Sequence, residues 1–377
     1  MKNRRAGKIR HRASTLRVDV LEGRRLLSAD AFAAAGAGLP AWIDIDAVIR
    51  SAPPSLAEIQ LPSSPPPALA GLLHSAPAAA TAATASSPFA YTTVDGRAWI
   101  TGYTGPGGDV VIPSSIDGFP VVGIGEWAFA GQASLASVAI PSGVTTIGRG
   151  AFFLCVNLAS ASLPATITSL GSGAFYYCRA LTRVGLQDGL ATVGDNAFDG
   201  CTSLRDVQIP QSVTSIGAYA FQDCKSLKGI AIPPQTQSLG EGIFWGCSSL
   251  ENVAIAEGVS AIPFGMFLNC SSLASMTLPL SVKRIGASAF SGCSRLARVA
   301  MAADLAVIDE FAFAYCSSLE SIAIPGTVAE IGRSAFNRCS LLTSVSIGGG
   351  VRRIRDNAFD SCVSLPGIAL PSTLTAI

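Results

Sequence analysis

The feature that most constrains this chain is a period of 23 residues. All ten cysteines obey it, from Cys155 through Cys178, Cys201, Cys224, Cys247, Cys270, Cys293, Cys316 and Cys339 to Cys362. Phenylalanine keeps the same step eleven times, from Phe129 to Phe359, without an insertion. A unit this short cannot bury its own apolar face, so its copies must stack, and self-similarity at such a period marks a solenoid. Within a unit, branched apolar residues two apart, as in Val253 and Ile255 after Leu250, predict a short strand with one buried face. Proline then follows at eight of twelve equivalent places, Pro141 and Pro210 among them. It ends the pairing because it has no N–H to donate. Glycine follows the second Ile in eight of eleven units, as in Gly148 and Gly217, and predicts a tight corner. A compact return carrying Ala-Phe completes the unit. Stacked turns would set the strands in a parallel ladder about 4.8 Å apart, giving an array roughly 50 Å long. A fully buried Phe contributes about 1.5–3 kcal/mol, so the Phe ladder is the expected spine of the core.

The repeats occupy residues 125–377. Residues 89–124 are expected to cap them, because Asp95 and Gly96 between two strand-like runs predict a hairpin and Gln132 stands at the first cysteine position. Residues 51–88 are mostly Ala, Pro, Ser and Thr with almost no charge, which predicts a disordered linker. Residues 1–50 form a basic leader or sorting segment, with nine Lys or Arg before position 28 and a short apolar stretch at 31–39. The sequence stops at Ile377, one residue short of the next corner glycine. That exposed apolar end is expected either to self-associate or to mark a truncated reading frame.

Two resemblances follow from these residues. The unit Ile209, Pro210, Val213, Ile216, Gly217, Ala220, Phe221, Cys224, Leu227 and Ile230 resembles the BspA-like leucine-rich repeat, over about residues 89–377. The run Leu21, Glu22, Gly23, Arg24, Arg25, Leu26, Leu27 resembles the LEPR-XLL tag of exported proteins in planctomycete-type bacteria, departing from it at Gly23. The first implies an α/β-type solenoid of about eleven units with adhesion-like binding of a protein or cell-surface ligand. Together they imply an exported, extracellular or cell-surface protein. A self-associating structural module of the cell envelope is the alternative.

Chemistry is restricted by histidine. Both, His11 and His74, lie before residue 90, so the repeats lack the side chain needed for Ser-His, Cys-His or His-metal sites. No catalytic residue, cofactor or metal is expected. Residues 1–89 carry a net charge of +4 and the remainder −3, which offers no footprint for nucleic acid. Mean hydropathy is +0.45, yet no 18 consecutive residues are apolar, so no transmembrane segment is expected. Ten cysteines in one line suit neither a tetrahedral metal site nor, at about 4.8 Å spacing against a preferred 3.8 Å or so, disulfides. Buried free thiols are expected instead. Acids such as Asp195, Asp199, Asp309, Glu310, Asp356 and Asp360 are read as solvated corners. On the strand face, one small residue per unit (Ala139, Ser162, Gly185 and onward) points outward, beside the basic residues Arg183, Arg205, Lys228 and Arg298. Between Phe and Cys lie Phe153, Leu154, Tyr176, Tyr177 and Trp245. They are either an outward interaction patch or rings packed against neighbouring coils.

Overall fold

The computed structural model describes residues 87–377. The leader, the LEPR-XLL-like run and most of the linker lie outside the described residues. Strand β1 (Phe89–Val94) pairs antiparallel with β2 (Arg97–Tyr103). The turn between them has Asp95 and Gly96 at φ +49° and +70°, the two left-handed residues a type I′ hairpin requires. After β3 (Gly108–Val111), strands β4 (Ser115–Ile116) and β5 (Phe119–Ile124) make a second hairpin around Asp117 and Gly118, at +52° and +83°. From sequence this stretch is expected only as part of the cap, without its second hairpin.

From β6 (Leu135–Ala139) onward each turn contributes to two parallel ladders, not one. The first holds the expected strands: Val138 lies beside Val110 and Ala161, and further along Ile230 lies beside Val253. The second is built from two-residue strands ending in the Ile that precedes the corner, such as Thr146–Ile147 beside Ser169–Leu170. The corner N–H fastens it, with Gly148 donating to the Ile124 carbonyl at 2.8 Å and Gly171 to Ile147 at 2.8 Å. A Cβ on Gly148 would sit 2.8 Å from the Glu126 nitrogen of the preceding turn. Crowding by backbone, not a special φ, therefore keeps this corner glycine. The helical half of the α/β expectation has no counterpart among the described residues: the return is a chain of tight turns.

That return places one residue two before each Phe and one two after it in the left-handed region, including Trp127 (+60°), Leu154 (+56°) and Tyr177 (+57°). Between them the Phe ring points inward. Ten rings, from Phe129 to Phe336, are fully buried. Successive centroids from Phe129 to Phe359 are 5.0–5.7 Å apart with planes within 19°. The cap closes the stack with Tyr103, 5.2 Å from Phe129, and Phe89, 6.4 Å away. Each thiol donates to the Phe carbonyl of the turn before, from Cys155 to Phe129 (3.0 Å) through Cys362 to Phe336 (3.2 Å). Gln132 takes the thiol's place in the first turn and reaches the cap instead, its Nε2 donating to the Tyr103 carbonyl at 2.9 Å.

Candidate recognition surface

Stacked turns of this kind enclose no cleft, so ligand chemistry must come from their outer faces. On the strand face the central residues Ser162, Gly185, Gln208, Ala231, Ala254 and Thr277 are exposed. At the cap end they floor a shallow depression of about 270 Å³ whose lining runs from Asp109 and Val111 on the first strand to Arg183 and Gly185 on the fourth. Val111 is 73% exposed. The Ser137 hydroxyl donates to Asp109 at 2.5 Å and holds that carboxylate in place. A second depression, about 250 Å³, lies further along over Asn252, Val253, Ala254, Ser275 and Thr277. Arg183, Arg205, Lys228 and Arg298 are all exposed beside this face, with Asp206 and Glu251 interspersed. Sequence reasoning found the small residues and the basic row but not the depressions, whose linings join residues of successive turns.

On the return side the five residues between Phe and Cys are drawn together only in part. Phe153 (7% exposed), Leu154 (1%) and Tyr177 (6%) are buried, whereas Tyr176 and Trp245 are half-buried. Phe153 stacks on Tyr176 at 5.1 Å and meets Trp127 edge-on at 5.4 Å. Tyr176 and Tyr177 lie 4.6 Å apart. Trp245 belongs to another cluster, 6.2 Å from Tyr219. The left-handed backbone at Tyr177 lays its side chain over the neighbouring turn. Tyr177 covers Gly200, where a Cβ would stand 2.5 Å from the ring.

Beside these rings the solvated-corner expectation fails for Asp199, which is 2% exposed. It follows Phe198 in the slot that holds Tyr176 one turn earlier, a slot that is half-buried at Tyr176 and Trp245 but closed over at Asp199. Its Oδ2 accepts only a long 3.5 Å bond from Gln222, and its Oδ1 has no partner among the described residues. Burial, reinforced by the nearby Asp223, pushes its carboxyl well above the usual range. Arg179, 8% exposed, lies 5.0 Å over the Tyr177 ring with its Nε unpartnered, and burial lowers its pKa. The other acids conform better. Asp195 accepts the Ala218 N–H at 2.7 Å, and Asp309 pairs with Arg284 at 2.7 Å.

The ten cysteines are buried and unbridged. Burial pushes the thiols of Cys201, Cys224, Cys270 and Cys316 well above their ordinary range, which suppresses the reactive thiolate. Among the described residues no group of three or more His, Cys, Asp or Glu could hold a metal ion, and no helix is long and apolar enough to cross a membrane.

Parallel ladders, a stacked aromatic core and a 23-residue turn define a leucine-rich repeat solenoid. The pattern described as BspA type leucine rich repeat region, six copies of its unit, matches residues 109–228, 191–319 and 260–377, and the chain belongs to that family. Among solved structures, a leucine-rich cell surface protein from Faecalibacterium prausnitzii is 27% identical, with 77% of this chain and 94% of that one covered and a TM-score of 0.46. A leucine-rich repeat protein from Bacteroides ovatus is 22% identical, with 74% and 92% covered and a TM-score of 0.43. The pneumococcal vaccine antigen PcpA is 16% identical, with 76% and 90% covered and a TM-score of 0.44. Curated protein sequences give no significant match.

Proposed function

We propose that this protein is a non-catalytic scaffold displayed on a bacterial cell surface, where its strand face binds a protein or surface ligand. The observation that carries this reading is the depression between Asp109 and Arg183. Its floor of small side chains lets a partner approach the backbone closely. Opposite charges at its two ends orient that partner, and Arg is a residue on which binding energy concentrates. Tyr176 and Trp245 add partly exposed aromatic surface on the return side. The basic leader and the Pro-rich stretch fit export of the repeats on a spacer.

Cell fractionation with sequencing of the mature N-terminus tests the location: recovery in the cytoplasm with an intact leader overturns it. Binding to intact cells, measured with the purified chain and with a D109K/R183E double variant, tests the face. The charge reversal is expected to weaken attachment at least tenfold while leaving the thermal transition in place, and unchanged attachment would remove the strand face from consideration.

A further inference from the structure

The second ladder is interrupted once. Its nine-stranded part ends at Ser238–Leu239 and a five-stranded part begins at Ala261–Ile262, one turn later at the unaltered 23-residue spacing. The cause is legible. In the flanking turns the corner N–H bonds the carbonyl of the Ile immediately before the corner of the previous turn, Gly240 to Ile216 at 2.8 Å and Gly286 to Ile262 at 2.8 Å. The intervening corner is Pro263, which has no N–H, so the Leu239 carbonyl receives nothing from it. Among the described residues no backbone hydrogen bond joins 237–240 to 260–263.

On the strand face Gly229–Ile232 still pairs with Asn252–Ile255 across the gap, and that face is unpaired one turn further on, before Ser275–Thr277, and again before Ser321–Ile324. Two further observations mark the interrupted turn itself. The Phe stack is widest here, with 5.7 Å from Phe221 to Phe244 and again from Phe244 to Phe267, against 5.0–5.4 Å elsewhere. Finally, Phe264 is 38% exposed, and Leu239 and Val253 are only half-buried. Return-side bonds still cross the gap, as from Gly242 to Phe264 at 2.8 Å. On the strand-face side Glu257 clamps the next turn, accepting the N–H groups of Leu280 and Ser281 at 3.0 Å each.

We propose that Pro263 sets a seam at which the array divides into two blocks, residues 89–250 and 265–377, that unfold as separate cooperative units. Repeat arrays are held together by nearest-neighbour interfaces, so one weak interface uncouples its two sides while each remains folded. The inference is independent of the ligand-binding reading.

Urea unfolding of the full chain, followed by native-state hydrogen exchange, decides it. Two transitions are expected, each shared by the amides of one block. Pro263→Gly restores the residue the repeat uses at this corner and so preserves the fold. It is expected to draw the two transitions together and to slow opening at Ala261–Ile262 roughly five- to tenfold, the worth of about one regained hydrogen bond. Pro233→Gly, at a strand end outside the second ladder, adds the same chain entropy and should leave the transitions apart. A single transition in the unaltered chain overturns the proposal, as does a Pro263→Gly variant whose two transitions stay where they were.

Discussion

The inner and outer ladders of this array obey one period and carry very different energies. Inside, Phe rings and thiols sit in a dry stack. Outside, along the C-terminal part of the second ladder, charged side chains occupy the equivalent outward positions, as Arg284 pairs with Asp309 and Glu330 bridges Arg353 and Arg355. These pairs are tidy, but their members are exposed to solvent that competes for both charges. Repetition at 23 residues therefore does not identify which positions hold the solenoid together; burial does. The turns around Arg179 and Asp199 test this, because there polar groups occupy the inner side.

Breaking the inner ladder should have the largest effect. Phe198→Ala is expected to cost about 3–5 kcal/mol and to lower the denaturation midpoint of the turns around it, because the flanking rings cannot close a gap fixed by backbone bonds. Next comes Gly200→Ala. With φ at +72° and the Tyr177 ring in the way, it should cost about 1–3 kcal/mol. A double-mutant cycle with Tyr177→Ala should recover part of that loss, whereas strict additivity would show that only the backbone conformation matters.

Asp199→Asn sharpens the comparison in the opposite direction. Because the folded carboxyl titrates above its unfolded value, folding favours the protonated form. That stability is present in acid and declines as pH rises past the ordinary carboxylate range. The substitution should therefore stabilise the protein at pH 7, by about 1–3 kcal/mol, and do little near pH 3. Thermal melts at the two pH values check it, and equal shifts at both would contradict the uncharged acid.

Smallest of all should be Glu330→Gln, worth a few tenths of a kcal/mol and vanishing in high salt. The hydrogen bond from Arg355 holds the Glu330 carboxyl below its usual range, so its small contribution exists above that range and disappears on acidification. A salt-independent loss would mean that the outer ladder contributes through packing of the arginine stems.

Much of the fold was legible because the signal is repeated. Eleven Phe and ten Cys at one spacing leave little freedom in register, and the Asp95-Gly96 pair marks its hairpin through simple turn chemistry. The second ladder was not legible, since strands such as Thr146–Ile147 are too short to show alternation. Nor were the left-handed residues: nothing in Trp127, Leu154 or Tyr177 announces a conformation that bulky side chains ordinarily avoid. For the candidate surface the period identified which residues recur but not where they point. Tyr176 and Asp199 share one slot, yet the Tyr keeps partial access to solvent while the Asp does not.

The ring lying over Gly200 has an evolutionary corollary. Trp127 over Gly150 and Tyr219 over Gly242 have the same arrangement, so at these three places a bulky ring on one turn goes with an empty place on its successor. Those neighbouring modules are ordered couples, not interchangeable beads. Lengthening such a rod by copying a single module would bring two large groups into collision or leave a void, whereas copying a matched couple keeps the adjacency rule intact.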